Sequence, residues 1–299
     1  MTPYAVIDDV SIWNTDARAL GRLGLGPVHL VITSPPYNVG VNYATHDDNM
    51  TDGDYFTLLA DVWAACYATM TDGARVAVVV PYGVGRSPWR PLAAPVGETL
   101  TAAGFVRQGD VTWDKQTTGN RTTWGSWRLP SAPCLRDRTE AVIIAQKPGR
   151  PPIPLETMTR DDHGRPVSPW LPADLFPILT QSLWAIPPAQ KTRLGHPAPF
   201  PVDIPARLIR LYAWPGARVL DPFAGSGTVG LAAQGLGCYA DLIDIDAGYC
   251  DLAATRLKQA QAGEANIQKR RKKAEKSGAY SRAEAANGEL IDGARRAVV

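Results

Sequence analysis

The sequence predicts an α/β fold, a doubly wound and mostly parallel sheet carrying a small irregular insertion. Three observations predict it. Short β-branched runs alternate with stretches of helical periodicity along most of the chain, the pattern of a parallel sheet with crossover helices. Two of the runs end in turns of unusual composition, Thr33-Ser34-Pro35-Pro36-Tyr37-Asn38 and Asp221-Pro222-Phe223-Ala224-Gly225-Ser226-Gly227-Thr228, and such sheets bind ligands at the carboxyl ends of their strands. Between them, from Pro148 to about Pro188, periodicity gives way to prolines and polar residues.

In chain order, Val28-His29-Leu30-Val31-Ile32 reads as a buried strand. A helix follows from about Asp54 to Met70, with Phe56, Leu59, Ala60, Trp63 and Tyr67 as its core stripe. Ala74 to Val80 is another buried strand. The spacing of Ile204, Leu208, Leu211 and Tyr212 predicts a helix over Asp203 to Tyr212, feeding the strand Ala217-Arg218-Val219-Leu220. The run from Val229 to Gln234 is helical, with Thr228 able to cap it. Tyr239-Ala240-Asp241-Leu242-Ile243 is a strand ending at Asp244 and Asp246. Beyond Leu257 the chain is rich in Ala, Lys, Arg, Gln and Glu, including Lys269-Arg270-Arg271-Lys272-Lys273, and reads as a solvated helix or a disordered tail.

The two turns suggest a chemistry. Consecutive prolines fix the backbone and lack amide protons, which leaves the carbonyls of Ser34 and Pro35 free to point into a cleft. Tyr37 adds an aromatic face. Acceptors beside a flat surface suit the exocyclic amine of a heteroaromatic ring. In the second turn Gly225 and Gly227 permit a tight strand-to-helix passage and close approach of a nucleotide-like ligand. Asp244, at the tip of the next strand, is placed to accept hydrogen bonds from two ribose hydroxyls. Either turn alone is better explained as structural punctuation; the pair, with the acid that follows, points to group transfer onto a base.

Together these segments resemble the amino-group DNA methyltransferases, which use S-adenosyl-L-methionine and carry a Ser/Asn/Asp-Pro-Pro-Tyr catalytic motif with a Phe-x-Gly-x-Gly cofactor motif. With the catalytic motif first, the order is similar to the permuted beta arrangement of that family, and the likeness runs from about Ala5 to Leu257. It implies a Rossmann-like methyltransferase fold, permuted, with Ser34, Pro35, Pro36 and Tyr37 as catalytic residues. It implies a donor site from Asp16, near the adenine, together with Asp221, Phe223, Gly225, Ser226, Gly227, Thr228 and Asp244. His196 and Phe200 resemble the segment covering the methionine end of the donor. Asn38-Val39-Gly40, Tyr43 and His46-Asp47-Asp48-Asn49 are similar to the family's mobile loop, while Trp113-Asp114-Lys115, Thr123 to Trp127 and Glu140 to Ile144 resemble hairpin strands that shape its base pocket.

The resemblance divides the chain into a catalytic part (1–148), a target-recognition insertion (149–188), a cofactor-binding part (189–257) and a basic helical or disordered tail (258–299). Within the insertion Arg150, Arg160, His163, Arg165 and Trp170 are candidates for phosphate or base contacts. Ser34 favours cytosine N4 as the acceptor, because Asp at that position accompanies adenine N6 in the family. A binding module that has lost catalysis, an RNA methyltransferase and cytosine-carbon methylation through a thiol at Cys134 are the competing readings. The implied partner is double-stranded DNA, with a homodimer and a cognate restriction endonuclease left open. One departure stands out: Asp241 puts a carboxylate where an apolar strand residue is expected, so it faces a polar groove or the register is displaced.

Composition bounds the rest. With 299 residues and 45% hydrophobic content, the chain can bury a substantial core. A net charge of +2 fits a local positive cleft better than a cation-coated surface. Cys66, Cys134, Cys238 and Cys250 lack metal-ligand spacing, so no metal is expected. The absence of a membrane-length apolar run or a secretory leader leads to the expectation of a cytoplasmic protein.

Overall fold

The computed structural model describes residues 1–40, 49–85, 88–116, 125–135, 137–189 and 200–276, with backbone alone over 264–276. Its strands are β1 (Ala5–Ile7), β2 (Val10–Asn14), β3 (Val28–Thr33), β4 (Met70–Pro81), β5 (Gly83–Val84), β6 (Arg90–Pro91), β7 (Val106–Asp114), β8 (Thr139–Gln146), β9 (Thr159–Arg160), β10 (Pro166–Val167), β11 (Leu183–Ala185), β12 (Arg218–Asp221) and β13 (Tyr239–Asp244). The helices are α1 (Asp52–Thr69), α2 (Ala93–Ala102), α3 (Phe176–Leu179), α4 (Asp203–Tyr212), α5 (Thr228–Gly235) and α6 (Ala247–Lys276), with a 3-10 turn at Ala17–Arg22. Among the described residues, no helix is long and apolar enough to cross a membrane.

Nine strands form one sheet in the order β1-β2-β13-β12-β3-β4-β8-β7-β11. From β2 to β4 every neighbour is parallel, β8 runs antiparallel to both β4 and β7, and β11 returns parallel to β7. The doubly wound, mostly parallel sheet expected from the sequence is therefore present. Its winding reverses between β12 and β3. The crossover from β12 through α5 leads outward to β13, whereas that from β3 through α1 leads the other way to β4. Such a switch point splays the connections apart and opens a crevice at the carboxyl ends of the two strands.

Alternation along the strands sends side chains to two cores. Leu30, Ile32, Ala77, Val79, Val219, Ala240 and Leu242 meet the face covered by α4, α5 and α6. Val31, Val76, Val78, Leu220 and Ile243 meet Tyr55, Leu59, Val62, Trp63 and Cys66 of α1 on the other. Leu59 and Trp63 of the predicted stripe are fully buried, whereas Phe56, Ala60 and Tyr67 are only half-buried and Tyr55, Val62 and Cys66 complete the buried face. Thr51, which accepts from the Asp54 amide, caps the helix, so that it begins at Asp52, two residues ahead of the predicted start.

Asp241 resolves against both expectations drawn from its sequence. It pairs with Leu220 and Ser11 in regular register, and it is buried. Its carboxylate accepts from Trp13 Nε1 at 2.9 Å and meets Arg218 Nη1 at 2.6 Å. The charge is tolerated inside because two donors replace its water.

The ends of β3 and β12 are joined by another buried acid. Thr33 Oγ1 donates to Asp221 Oδ1 at 2.7 Å, and the same oxygen accepts from the Phe223 amide at 3.1 Å. Burial outweighs these donors and pushes the Asp221 carboxyl up to about 7. The folded state therefore retains a proton that the unfolded chain has released. The stability this group contributes is complete at acid pH, below the unfolded carboxylate value, and declines as pH rises to about 7.

The insertion is less irregular than its sequence suggests. Pro166↔Arg160 and Val167↔Thr159 form a small antiparallel ladder, and β11 joins the main sheet. Ile153, Leu155 and Trp170 help wall a cavity of about 270 Å³ with Arg75, Arg210, Tyr212 and Trp214. This cavity lies at the amino ends of β4 and β12, opposite the edge that carries Ser34 and Gly225. Arg165 is paired with Asp161, and Arg160 Nη1 donates to the Gly164 carbonyl.

Arg218→Met should lower unfolding free energy by about 3 kcal/mol in urea denaturation, because it strips the buried Asp241 of its cation. Adding Asp241→Leu should restore part of that loss. Thr33→Val should cost about 1–3 kcal/mol at about pH 8 and less at about pH 5, where Asp221 carries its proton. Paired denaturation series at the two pH values check this.

Candidate active site

The carboxyl edge gathers the sequence-predicted residues onto neighbouring strand tips. Ser34, Pro35, Pro36 and Tyr37 leave β3. Asp221 ends β12 and the turn to Thr228 follows it. Asp244 ends β13, opposite Asn14 of β2, and Asp16 comes two residues after that. Phe200 stands three residues ahead of α4, half-buried against the core under that helix. His196, Tyr43, His46, Asp47, Asp48, Thr123 and Trp124 lie outside the described residues.

In the first turn, the hydroxyls of Ser34 and Tyr37 are 2.9 Å apart. Tyr55 OH donates to the Pro36 carbonyl at 2.8 Å, and Arg90 Nη2 donates to the carbonyls of Tyr37 and Asn38 at 2.6 and 3.0 Å. Asn38 takes a left-handed backbone, φ 54°, and is clamped to Met50. Its Nδ2 donates to the Met50 carbonyl at 2.9 Å while its Oδ1 accepts from the Met50 amide at 2.7 Å. Among the described residues, no hydrogen bond reaches the Pro35 carbonyl.

The second turn is held from several sides. Gly225 N donates to Asp244 Oδ2 at 2.7 Å, and Asp246 N donates to Asp244 Oδ1 at 2.9 Å. Burial raises the Asp244 carboxyl even so. A carboxylate has about four acceptor positions, so two bonds do not exhaust it. Asp246 instead caps α6, accepting from the amides of Gly248 and Tyr249, which separates the two strand-tip acids by role in the fold. Gly227 sits at φ 76° against α6, where a Cβ would come within 2.8 Å of the Ala253 Cβ. Gly227, not Thr228, holds the cap position of α5, and Thr228 is its first helical residue. No side-chain cap forms there because glycine has no side chain to accept from the first-turn amides. Phe223 meets Trp63 edge-on, with centroids 6.3 Å apart.

Asp16 caps the 3-10 turn and takes Arg18 bidentately, at 3.1 and 2.6 Å. The hairpin of β7 and β8 carries Asp114–Arg138 and Lys115–Glu140 pairs where it reaches this edge. Cys134 lies beyond that hairpin's regular part, beside the isolated Gly125↔Pro133 bridge.

Three residues at the site escape sequence reasoning. Tyr55 was hidden because the predicted α1 stripe began at the next residue, Phe56. Arg90 lies in a proline-containing stretch without periodicity, 53 positions from Tyr37. Arg256 of α6 donates to the Ser226 carbonyl and to Ser226 Oγ at 2.8 Å, from 30 residues away. Its only local signal is helical spacing from Tyr249 and Ala253.

A family model described as DNA methylase matches residues 28–255. The Type II methyltransferase M.MjaVI of Methanocaldococcus jannaschii is 28% identical over 120 residues, 40% of this chain and 62% of that protein. M.HpaI of Haemophilus parainfluenzae, also a Type II methyltransferase, is 24% identical over 89% of this chain and 80% of its own length. Among solved structures, a Thermus thermophilus protein described as a DNA modification methylase, complexed with S-adenosyl-L-methionine, superposes with a TM-score of 0.63. It is 27% identical, and the match covers 83% of this chain and 93% of that one. Since the family match takes in both turns, the sheet that carries them and well over half of the sequence, the protein belongs to the DNA methylase family.

Proposed function

We propose that the protein transfers a methyl group from S-adenosyl-L-methionine to the exocyclic amine of a base flipped out of double-stranded DNA, with cytosine N4 preferred over adenine N6. The observation that carries this reading is the meeting of the two turns at one switch point, fastened by Thr33 and Asp221. One turn offers amine acceptors and an aromatic ring; the other offers a glycine cradle and a strand-tip acid.

The residues fit the donor. Gly225 presents backbone without side-chain bulk, Gly227 lets the turn close against α6, Phe223 supplies an apolar wall, and Asp244 retains acceptor positions for a ribose diol. When bound, the donor supplies a methyl on a sulfonium, already activated for displacement. On the other side, the unclaimed Pro35 carbonyl accepts one amine proton. Ser34 Oγ and Tyr37 OH share a hydrogen bond in which either can donate; with the phenol as donor, Ser34 Oγ keeps a lone pair for the other. Drawing both protons aside lets the nitrogen become more tetrahedral and direct its lone pair at the methyl. The Tyr37 ring provides a stacking face for the extruded base. Ser34 in place of an acid favours cytosine, following the resemblance described above.

Ser34→Ala should slow single-turnover methylation by about one to two orders of magnitude, the value of one well-placed hydrogen bond in the transition state. Donor affinity by calorimetry should hold. Unchanged turnover would remove Ser34 from this role. Mass analysis of nucleosides from DNA exposed to the enzyme should show N4-methylcytosine. N6-methyladenine would reverse the base preference, 5-methylcytosine would place the chemistry at a thiol, and an unmodified product with DNA affinity intact would favour a binding module.

A further inference from the structure

Arg90 touches three units at once, although it is remote from both motifs in sequence. Its Nη2 holds the carbonyls of Tyr37 and Asn38, and its Nη1 meets Asp52 Oδ1 at 2.5 Å in the first turn of α1. Its guanidinium carbon stands 5.7 Å from the ring centroid of Tyr55, the residue whose hydroxyl holds the Pro36 carbonyl. The three consecutive carbonyls after Pro35 are thus claimed by one cation and its aromatic neighbour.

We propose that Arg90 is a positioning residue for the amine-holding turn, keeping the Pro35 carbonyl and the Tyr37 ring aimed into the cleft. The inference rests on the reading of Ser34 to Tyr37 as the amine site. The pyrrolidine ring fixes φ at Pro36, but nothing in proline fixes the peptide planes that follow. Those planes are set where their carbonyls are held, at Tyr55 for Pro36 and at Arg90 for Tyr37 and Asn38. The Tyr37 ring direction follows from the backbone on either side of it. Asn38 also sits in a conformation that non-glycine residues adopt only when their surroundings impose it. Arg90 and the Met50 clamp impose it from opposite sides.

The geometry requires a guanidinium. Two carbonyls and a carboxylate are met by one planar fork, whereas a lysine ammonium is a point charge that cannot reach all three. The carbonyl bonds matter more than the ion pair, because Arg90 is only 21% exposed while Asp52 is 59% exposed and screened by water.

The test compares the full-length protein with Arg90→Ala, Arg90→Lys and Asp52→Asn by three readings. These are donor affinity by calorimetry, amide exchange at Met50, whose amide is held by Asn38 Oδ1, and label transfer from radioactive S-adenosyl-L-methionine to unmodified genomic DNA. Both Arg90 variants should bind the donor within about threefold of wild type and lose exchange protection at Met50. Their kcat should fall by about tenfold to a hundredfold with little change in KM for DNA, as expected for a misaimed rather than vacant site. Asp52→Asn should stay within about threefold on every reading. Wild-type exchange and kcat in Arg90→Ala would overturn the proposal, as would equal losses in Asp52→Asn, which would make Arg90 a staple for α1. If Arg90→Ala fails to fold, Arg90→Lys decides by the same readings. If the wild type transfers no label, the functional reading fails by itself, and exchange protection alone decides whether Arg90 holds the turn.

Discussion

The bond between Thr33 and Asp221 sets the geometry on which everything at the carboxyl edge depends. These residues end adjacent parallel strands, and each immediately precedes one of the two turns. A shift of either strand by one residue would reverse the faces of its side chains and separate Thr33 from its acid. The bond therefore reports register as well as proximity. It also joins segments 188 residues apart, so the crevice exists only after the two ends of the sheet-forming chain have come together.

The buried acids beneath this edge are each held by two donors. Asp221 is kept by a hydroxyl and an amide, Asp244 by two amides, and Asp241 by an indole and a guanidinium. Three arginines serve the same edge or its supporting strands by holding oxygens at a distance in sequence: Arg90, Arg218 and Arg256. Each places a long, planar donor where local chain geometry could not supply one.

Much of this fold was legible because strong local signals coincide with global ones. The α4 boundaries, Asp203–Tyr212, follow directly from apolar spacing, and the strands ending at Thr33, Asp221 and Asp244 follow from short, largely apolar runs that stop at unusual turns or acids. What sequence left obscure was long-range. Asp241 looked anomalous because its partners, Trp13 and Arg218, lie on other strands. Thr228 looked like a cap because threonine commonly serves as one, yet the left-handed Gly227 had already taken that position. Trp170 looked available for recognition, and only tertiary structure shows it helping to wall a cavity at the amino edge.

The Asn38–Met50 clamp has a consequence for how such a protein diversifies. With Asn38 and Met50 pinned to each other by two hydrogen bonds, the entropic cost of bringing these two positions together is offset at the clamp itself. Doubling the number of residues between them would raise that cost by only about 0.6 kcal/mol. Insertions between Asn38 and Met50 are therefore compatible with an unchanged pair of prolines ahead of them.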